Sequence, residues 1–195
     1  MPTSAADPSG DAAEVGISLS AEVRDATPLD AAALAELAAA TFPLACPPGT
    51  TPEAVAEFLA ANLSEPHFRR YLADPQQVLM VAEDSGGLVG YTLLVLGDPA
   101  DEEVASAVTV RPTAELSKIY VRPSAHGGGM AAALLDVTLQ RATAAGVAGV
   151  WLGVNQRNVR AQRFYAKSGF AVAGERSFRV GPDLHRDHVM VRVLA

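Results

Sequence analysis

The sequence contains a single cysteine, Cys46, so no internal disulfide can hold the fold together. Basic residues are outnumbered: 15 Lys and Arg face 22 Asp and Glu, for a net charge of −7. Bulk nucleic-acid binding needs a basic face, and none is evident. No apolar run reaches the length needed to span a bilayer. Residues 1–16 lack a basic start and an apolar centre, which excludes a secretory signal there. These absences give a cytoplasmic expectation, with neither nucleic acid nor membrane as partner, and the sequon Asn62-Leu63-Ser64 is then expected to carry no glycan. His185 and His188 are separated by three positions. On a strand that spacing points them to opposite faces, so no metal site is expected.

Hydrophobic residues make up 49% of the chain and charged ones 19%, which is the balance of a globular protein. The length of 195 residues fits one domain with a tail. Residues 1–18 are rich in Ala, Ser, Gly, Asp and Pro and read as a flexible N-terminal tail. The remaining 19–195 read as one domain. Residues 20–26 form a short strand. Asp30 caps a helix over 31–41, which the Pro-rich segment 42–49 breaks into a loop. Thr51-Pro52 starts a second helix running to about 63, followed by a short one over 65–72. Strands are expected at 77–83 and 88–96, joined by Asp84-Ser85-Gly86-Gly87. Residues 97–112 read as an acidic loop. A strand at 114–121, a helix to 145, a strand at 147–154, a helix at 158–168 and strands at 170–178 and 187–194 complete the chain. The fold class is therefore α/β (α+β): a mixed, mostly antiparallel central sheet flanked by helices.

Chemistry concentrates between 115 and 170. The strand ending at Val121 is followed by Gly127-Gly128-Gly129 at the opening of a helix. Glycine lets the backbone approach a bulky anion, and the first N–H groups of the helix point at it with the helix dipole behind them. A pyrophosphate is the natural guest. No GK[ST] ending makes this a nucleotide P-loop, and the glycines do not form GxGxxG. After the next strand comes Asn158-Val159-Arg160-Ala161-Gln162-Arg163-Phe164-Tyr165-Ala166-Lys167-Ser168-Gly169-Phe170.

Together these segments resemble the GCN5-related N-acetyltransferase (GNAT) family. The cofactor motif V-x-P-x-x-[QR]-[GRK]-x-G-[IVL]-[GA] is matched by Val121, Pro123, Gly127, Gly129 and Ala131. Met130 is a mild departure, and His126 replaces the usual Gln or Arg. The later motif N-x-x-A-x-x-F-Y-x-K-x-G-F is matched in full. The resemblance implies a GNAT fold and acetyl-CoA as co-substrate, lying in a V between the strands that end at Val121 and Val154. It implies that backbone groups of Ile119 and Val121, with Tyr120 between them, line the pantetheine arm. The segment His126, Gly127, Gly128, Gly129, Met130, Ala131 would hold the pyrophosphate. Asn158 would contact the arm, and Tyr165 would face the sulfur as general acid. Glu115, at the start of the strand, stands where some members carry their base. Arg122, Arg157, Arg160 and Arg163 are candidates for the 3′-phosphate.

The residue types suit the chemistry. An alkylamine, with a pKa of about 10.4, must lose a proton before it attacks. A strand-edge N–H can hold the oxyanion. The leaving thiolate, whose thiol has a pKa of about 8.5, can take a proton from a phenol. No acyl-enzyme is needed, so Cys46 is read as structural. The expected partners are acetyl-CoA and a primary amine, a polyamine or a peptide amine, with homodimerisation as a further expectation. The run Glu115-Leu116-Ser117-Lys118-Ile119-Tyr120-Val121 also resembles a bacterial subgroup that includes polyamine acetyltransferases. The acidic residues Asp98, Asp101, Glu102 and Glu103 are read as a solvated loop. The alternative is a non-catalytic acyl-CoA-binding or regulatory module on the same fold, prompted by His126.

Overall fold

The computed structural model describes residues 22–46, 49–180 and 183–194, with no side chains described at 178–180 and 183–185. The expected N-terminal tail lies outside the described residues. Seven strands form one sheet: β1 (Glu22–Asp25), β2 (Gln77–Asp84), β3 (Gly87–Leu96), β4 (Thr113–Val121), β5 (Gly149–Asn155), β6 (Ala171–Val180) and β7 (Asp183–Val193), in the spatial order β1-β2-β3-β4-β5-β7-β6. Every neighbouring pair is antiparallel except β4 and β5. The helices are α1 (Ala31–Ala45), α2 (Pro52–Asn62), α3 (Glu65–Ala73), α4 (Glu102–Ala107), α5 (Met130–Ala144) and α6 (Val159–Lys167). None is long and apolar enough to cross a membrane.

Strand alternation assigns the two faces. Leu79, Val81, Tyr91 and Leu93 pack with Leu34, Leu37 and Phe68 of α1 and α3. Met80, Ala82 and Val89 turn the other way, onto Leu134 of α5. On the same face as α5, Leu116, Val150, Leu152 and Val154 meet Leu135, Leu139 and the inner side of α6.

β7 begins at Asp183, four residues before the expected 187, and two segments differ from the sequence expectation in kind or extent of helix. Helix α1 does not stop at 41 but continues through Pro43 to Ala45. Pro43 lies in the last turn, so it forfeits one helix hydrogen bond, that to the Ala39 carbonyl. In return Phe42 is buried and stacks on Phe58 at 4.5 Å. The second difference is α4, inside the segment read as a loop. Asp101 caps it by accepting the Val104 N–H at 3.1 Å. Val104 and Val108 then close a small core on Trp151 and Val189.

The acidic residues of that segment have structural roles. Asp98 accepts from the Thr113 N–H and hydroxyl, both at 3.2 Å. Glu103 accepts the Ser177 N–H at 2.9 Å, tying α4 to β6.

Tyr91 is fully buried, and its hydroxyl finds no hydrogen-bond partner among the described residues. Burying an unsatisfied hydroxyl costs free energy that Phe avoids at nearly the same shape. Tyr91→Phe is therefore expected to leave stability unchanged or raise it by about 1 kcal/mol in a urea denaturation series. A loss of more than that would show that the hydroxyl has a partner.

Candidate active site

The site is made by a failure of strand pairing. β4 and β5 pair only over Thr113–Gly149, Ala114–Val150 and Glu115–Trp151. Beyond Glu115 and Trp151 they diverge. A bulge sharpens the divergence: Leu93 pairs with Lys118 and Leu94 with Leu116, so Ser117 is the extra residue on β4. The Arg122 N–H bonds to the Val89 carbonyl at 2.7 Å, toward β3. By antiparallel alternation, the N–H and C=O groups of Ile119 and Val121 face the opened gap. Those are the two residues singled out for the pantetheine arm.

Two clefts meet at this gap. The larger, about 380 Å³, is lined by Phe42, Phe58 and Leu63, by Glu115 to Tyr120, and by Gly153, Asn155, Arg176 and Asp187. The other, about 290 Å³, is lined by Val121, His126, Ala131, Arg160 and Phe164. Tyr120, Asn158 and Tyr165 border both. The structure thus brings Glu115, Ile119, Tyr120, Val121, His126, Ala131, Asn158 and Tyr165 to one continuous opening. Gly127, Gly128, Gly129 and Met130 form the turn that leads from His126 into α5.

That turn has the form an anion requires. Gly127 and Gly129 have φ of 84° and 79°, values that L side chains rarely adopt. Gly129 caps α5, and the N–H groups of the first turn have no acceptor within the helix. A Cβ at Gly127 or Gly129 would meet nothing within 4 Å, so the space in front of the turn is open.

His126 behaves differently from the Gln or Arg it replaces. Its N–H is used by the Pro123 carbonyl at 3.1 Å. Its Nε2 lies 3.0 Å from the Val121 carbonyl, which can only accept, so Nε2 carries the proton. Nδ1 then faces Arg160 Nη2 at 3.5 Å as the acceptor. The ring is held back toward the strand. Of the four candidate arginines, only Arg160 lines either of the two clefts at the gap. Arg122 is used structurally, donating to the Leu88 carbonyl at 3.0 Å.

Asn158 caps α6, its side-chain oxygen accepting the Ala161 N–H at 3.1 Å. Tyr165 is about two turns further along that helix. It packs edge-on to Phe170 at 5.9 Å and beside Phe164 at 5.3 Å. Burial pushes its hydroxyl up to about 12, so it is a protonated phenol at neutral pH. Cys46 borders the larger cleft, where burial raises its thiol and so disfavours the nucleophilic thiolate. Glu115 is raised by burial, with Arg176 and Lys118 pulling the other way.

Sequence reading missed the floor of the larger cleft. Arg176, on β6, has Nη1 at 3.8 Å from Glu115 and Nε at 3.7 Å from Asp187. Its guanidinium lies 5.5 Å over the Trp151 ring. It also lies flat on Gly153, where a Cβ would sit 2.3 Å from Nη2. A glycine within a strand was the available signal, since it marks close approach of another group. Among the described residues, no group of three or more His, Cys, Asp or Glu could hold a metal ion.

Comparison with known proteins agrees with this geometry. The model of the acetyltransferase (GNAT) family matches residues 33–170. An uncharacterised N-acetyltransferase of Mycobacterium tuberculosis is 49% identical over 165 residues, 85% of this chain and 98% of the relative. One from Lactobacillus delbrueckii is 27% identical over 144 residues, 74% of this chain and 80% of the relative. Among solved structures, the PaiA N-acetyltransferase of Thermoplasma acidophilum in complex with coenzyme A superposes with a TM-score of 0.71 at 19% identity, covering 90% of this chain and all of that one. The ribosomal-protein-S18-alanine N-acetyltransferase of Escherichia coli gives 0.64 at 18%, covering 90% of this chain and 94% of the other.

Proposed function

The chain belongs to the GNAT acetyltransferase family and is an acyl-CoA-dependent N-acetyltransferase, and from that premise we propose that it passes the acetyl group of acetyl-CoA directly to a primary amine of a small molecule or peptide. The observation that carries the reading is the gap between β4 and β5, with the backbone of Ile119 and Val121 turned into it and Tyr165 at its junction.

The α5 side of the gap takes the co-substrate. The N–H groups of the Gly127–Ala131 turn hold the pyrophosphate, and the Ile119 backbone groups and the Val121 N–H pair with the amides of the arm, the Val121 carbonyl being taken by His126. The Asn158 amide nitrogen reaches the same arm. The α1 side takes the acceptor. Glu115 receives the proton of the incoming ammonium, directly or through water. The freed amine attacks the thioester carbon, and the oxygen's new charge rests on a β4 N–H such as that of Ile119. The C–S bond then breaks as the nitrogen gives its second proton to water, leaving a neutral amide, and the thiolate takes the Tyr165 proton, which solvent replaces. A phenol near 12 is a weak acid beside a thiol of about 8.5. Desolvation in the same gap also raises the thiol, which narrows that mismatch.

Calorimetry with acetyl-CoA and thiol release in the presence of amines test the reading. No binding at about 100 µM, roughly −5.5 kcal/mol, would overturn it. Glu115→Gln is expected to lower kcat/KM by about 10²–10³-fold. The sign of the pH dependence follows from the raised carboxyl. Glu115 is a base only when ionised, so wild-type kcat/KM falls as pH drops through its folded pKa. The charged groups facing it are Arg176 from β6 and Lys118 from its own strand, with Asp187 of β7 behind Arg176. In Glu115→Gln that acidic limb disappears. A limb retained unchanged would remove Glu115 as the base.

A further inference from the structure

The charges in the larger cleft are arranged unevenly. Leu93 and Val95 of β3 both pack on the α1–α3 side. Lys118 pairs with Leu93 and Glu115 with Val95, so the bulge at Ser117 brings these two residues, three apart in sequence, onto one face. Tyr120, opposite Tyr91, shares it. Arg176 is engaged below by Glu115 and Asp187. Lys118 is not matched in this way. Its Nζ reaches the Ser117 hydroxyl at 3.2 Å and lies 5.5 Å from the Tyr71 ring. No carboxylate forms an ion pair with it among the described residues. Burial lowers its pKa, and only the charge of Glu115 opposes that. A mostly buried ammonium without a carboxylate in direct contact is costly unless an anion arrives.

The lining residues therefore hold two carboxylates bound to one guanidinium and, beside them, one cation waiting on the acceptor side. A polyamine would add positive charge to a cleft whose formal charges already balance. The opposite wall is apolar, built from Phe42, Phe58 and Leu63.

Resting on the acetyltransferase reading above, we propose that the acceptor is an amino acid or similar amine that carries its own carboxylate, which Lys118 binds while the amine faces Glu115 and an apolar side group lies on Phe42 and Phe58. A single lysine suits a carboxylate. A phosphate ordinarily gathers several donors and a guanidinium fork, and here the guanidinium is committed to Glu115 and Asp187. Lys118 is thus a specificity residue for a reaction that Glu115 and Tyr165 carry out.

The test compares acetylation of L-leucine and L-phenylalanine with that of their amides and of spermidine, at saturating acetyl-CoA, in wild type, Lys118→Met and Lys118→Arg. Acid and amide differ in intrinsic amine basicity. The informative quantity is therefore the acid-to-amide ratio of kcat/KM, and its change between proteins cancels that difference. The expected result is wild-type turnover of the acids above that of spermidine. The ratio should fall at least tenfold in Lys118→Met, mainly through KM for the acid, and stay within a few-fold of wild type in Lys118→Arg. Thermal melts of the variants separate this from misfolding. An unchanged ratio in Lys118→Met, or spermidine as the better wild-type acceptor, overturns the proposal. An equal loss on acid and amide also overturns it and makes Lys118 structural or catalytic. Acetyl-CoA binding with no turnover of any amine would instead refute the enzyme reading, and the proposal with it.

Discussion

Tyr165→Phe is expected to bind acetyl-CoA with unchanged affinity and to turn it over about 10²–10³-fold more slowly. The ring sits between Phe164 and Phe170 and borders both clefts, so Phe preserves the packing and removes only the proton. Because the hydroxyl is held near 12, it does not ionise in the working range. It contributes as a donor once charge builds on sulfur, which is an interaction of the transition state. Such a loss lowers kcat and kcat/KM together, and a 10²–10³-fold effect corresponds to about 2.7–4 kcal/mol. Single-turnover kinetics with a saturating amine measures it. Wild-type rates in the variant would mean that the thiolate is protonated from elsewhere. A chain that binds acetyl-CoA but shows no turnover even with Tyr165 would be a binding module.

Gly129→Asp is expected to weaken acetyl-CoA binding by about 10²-fold with little change in fold. Its φ of 79° is one that Asp tolerates better than most residues, and a Cβ there meets nothing within 4 Å. The damage is electrostatic. A carboxylate about 5 Å from a pyrophosphate charge, at an effective dielectric of about 20, opposes it by roughly 3 kcal/mol. That is about two decades in affinity. The same substitution places an acid at the N-cap of α5, which favours the helix. A melting temperature at or near the wild-type value should therefore accompany the lost binding. Calorimetry beside a thermal melt checks both halves. Retained affinity would place the pyrophosphate away from this turn.

The geometry of the half proposed for the co-substrate was legible because its determinants are local. A glycine turn before a helix and an asparagine opening the next one act through backbone geometry within a few residues, and the sequence displays both in order. Tyr165 follows from the same helix. The acceptor half was mostly illegible. Arg176 reaches Glu115 only because β6 pairs with β7 and β7 with β5, a relation that spacing along the chain does not encode. Lys118 read as one residue of an apolar strand, and only the bulge at Ser117 turns it to the face of Glu115.

The two helical differences have a common cause. Pro43 and the acidic run before Val104 are local signals against helix, or toward loop. Burial of Phe42 in one case, and of Val104 and Val108 in the other, overrode them. In α4 the capping signal is present, with Asp101 before Glu102 and Glu103, but a run of acidic residues has the same composition as a solvated loop. His126 is the departure from the motif that the sequence displays. Its consequence, a ring held against the Val121 carbonyl with Arg160 on its other side, appears only in three dimensions.

The most direct test of the central claim is a crystal structure of the protein with coenzyme A. The account expects the arm between β4 and β5, paired with the Ile119 and Val121 backbone, the pyrophosphate on the Gly127–Ala131 turn, and the sulfur within hydrogen-bonding reach of the Tyr165 hydroxyl, about 3–3.5 Å for a sulfur acceptor. A coenzyme bound elsewhere, or in the gap with its sulfur turned away from Tyr165 and from the Glu115 side, would contradict it.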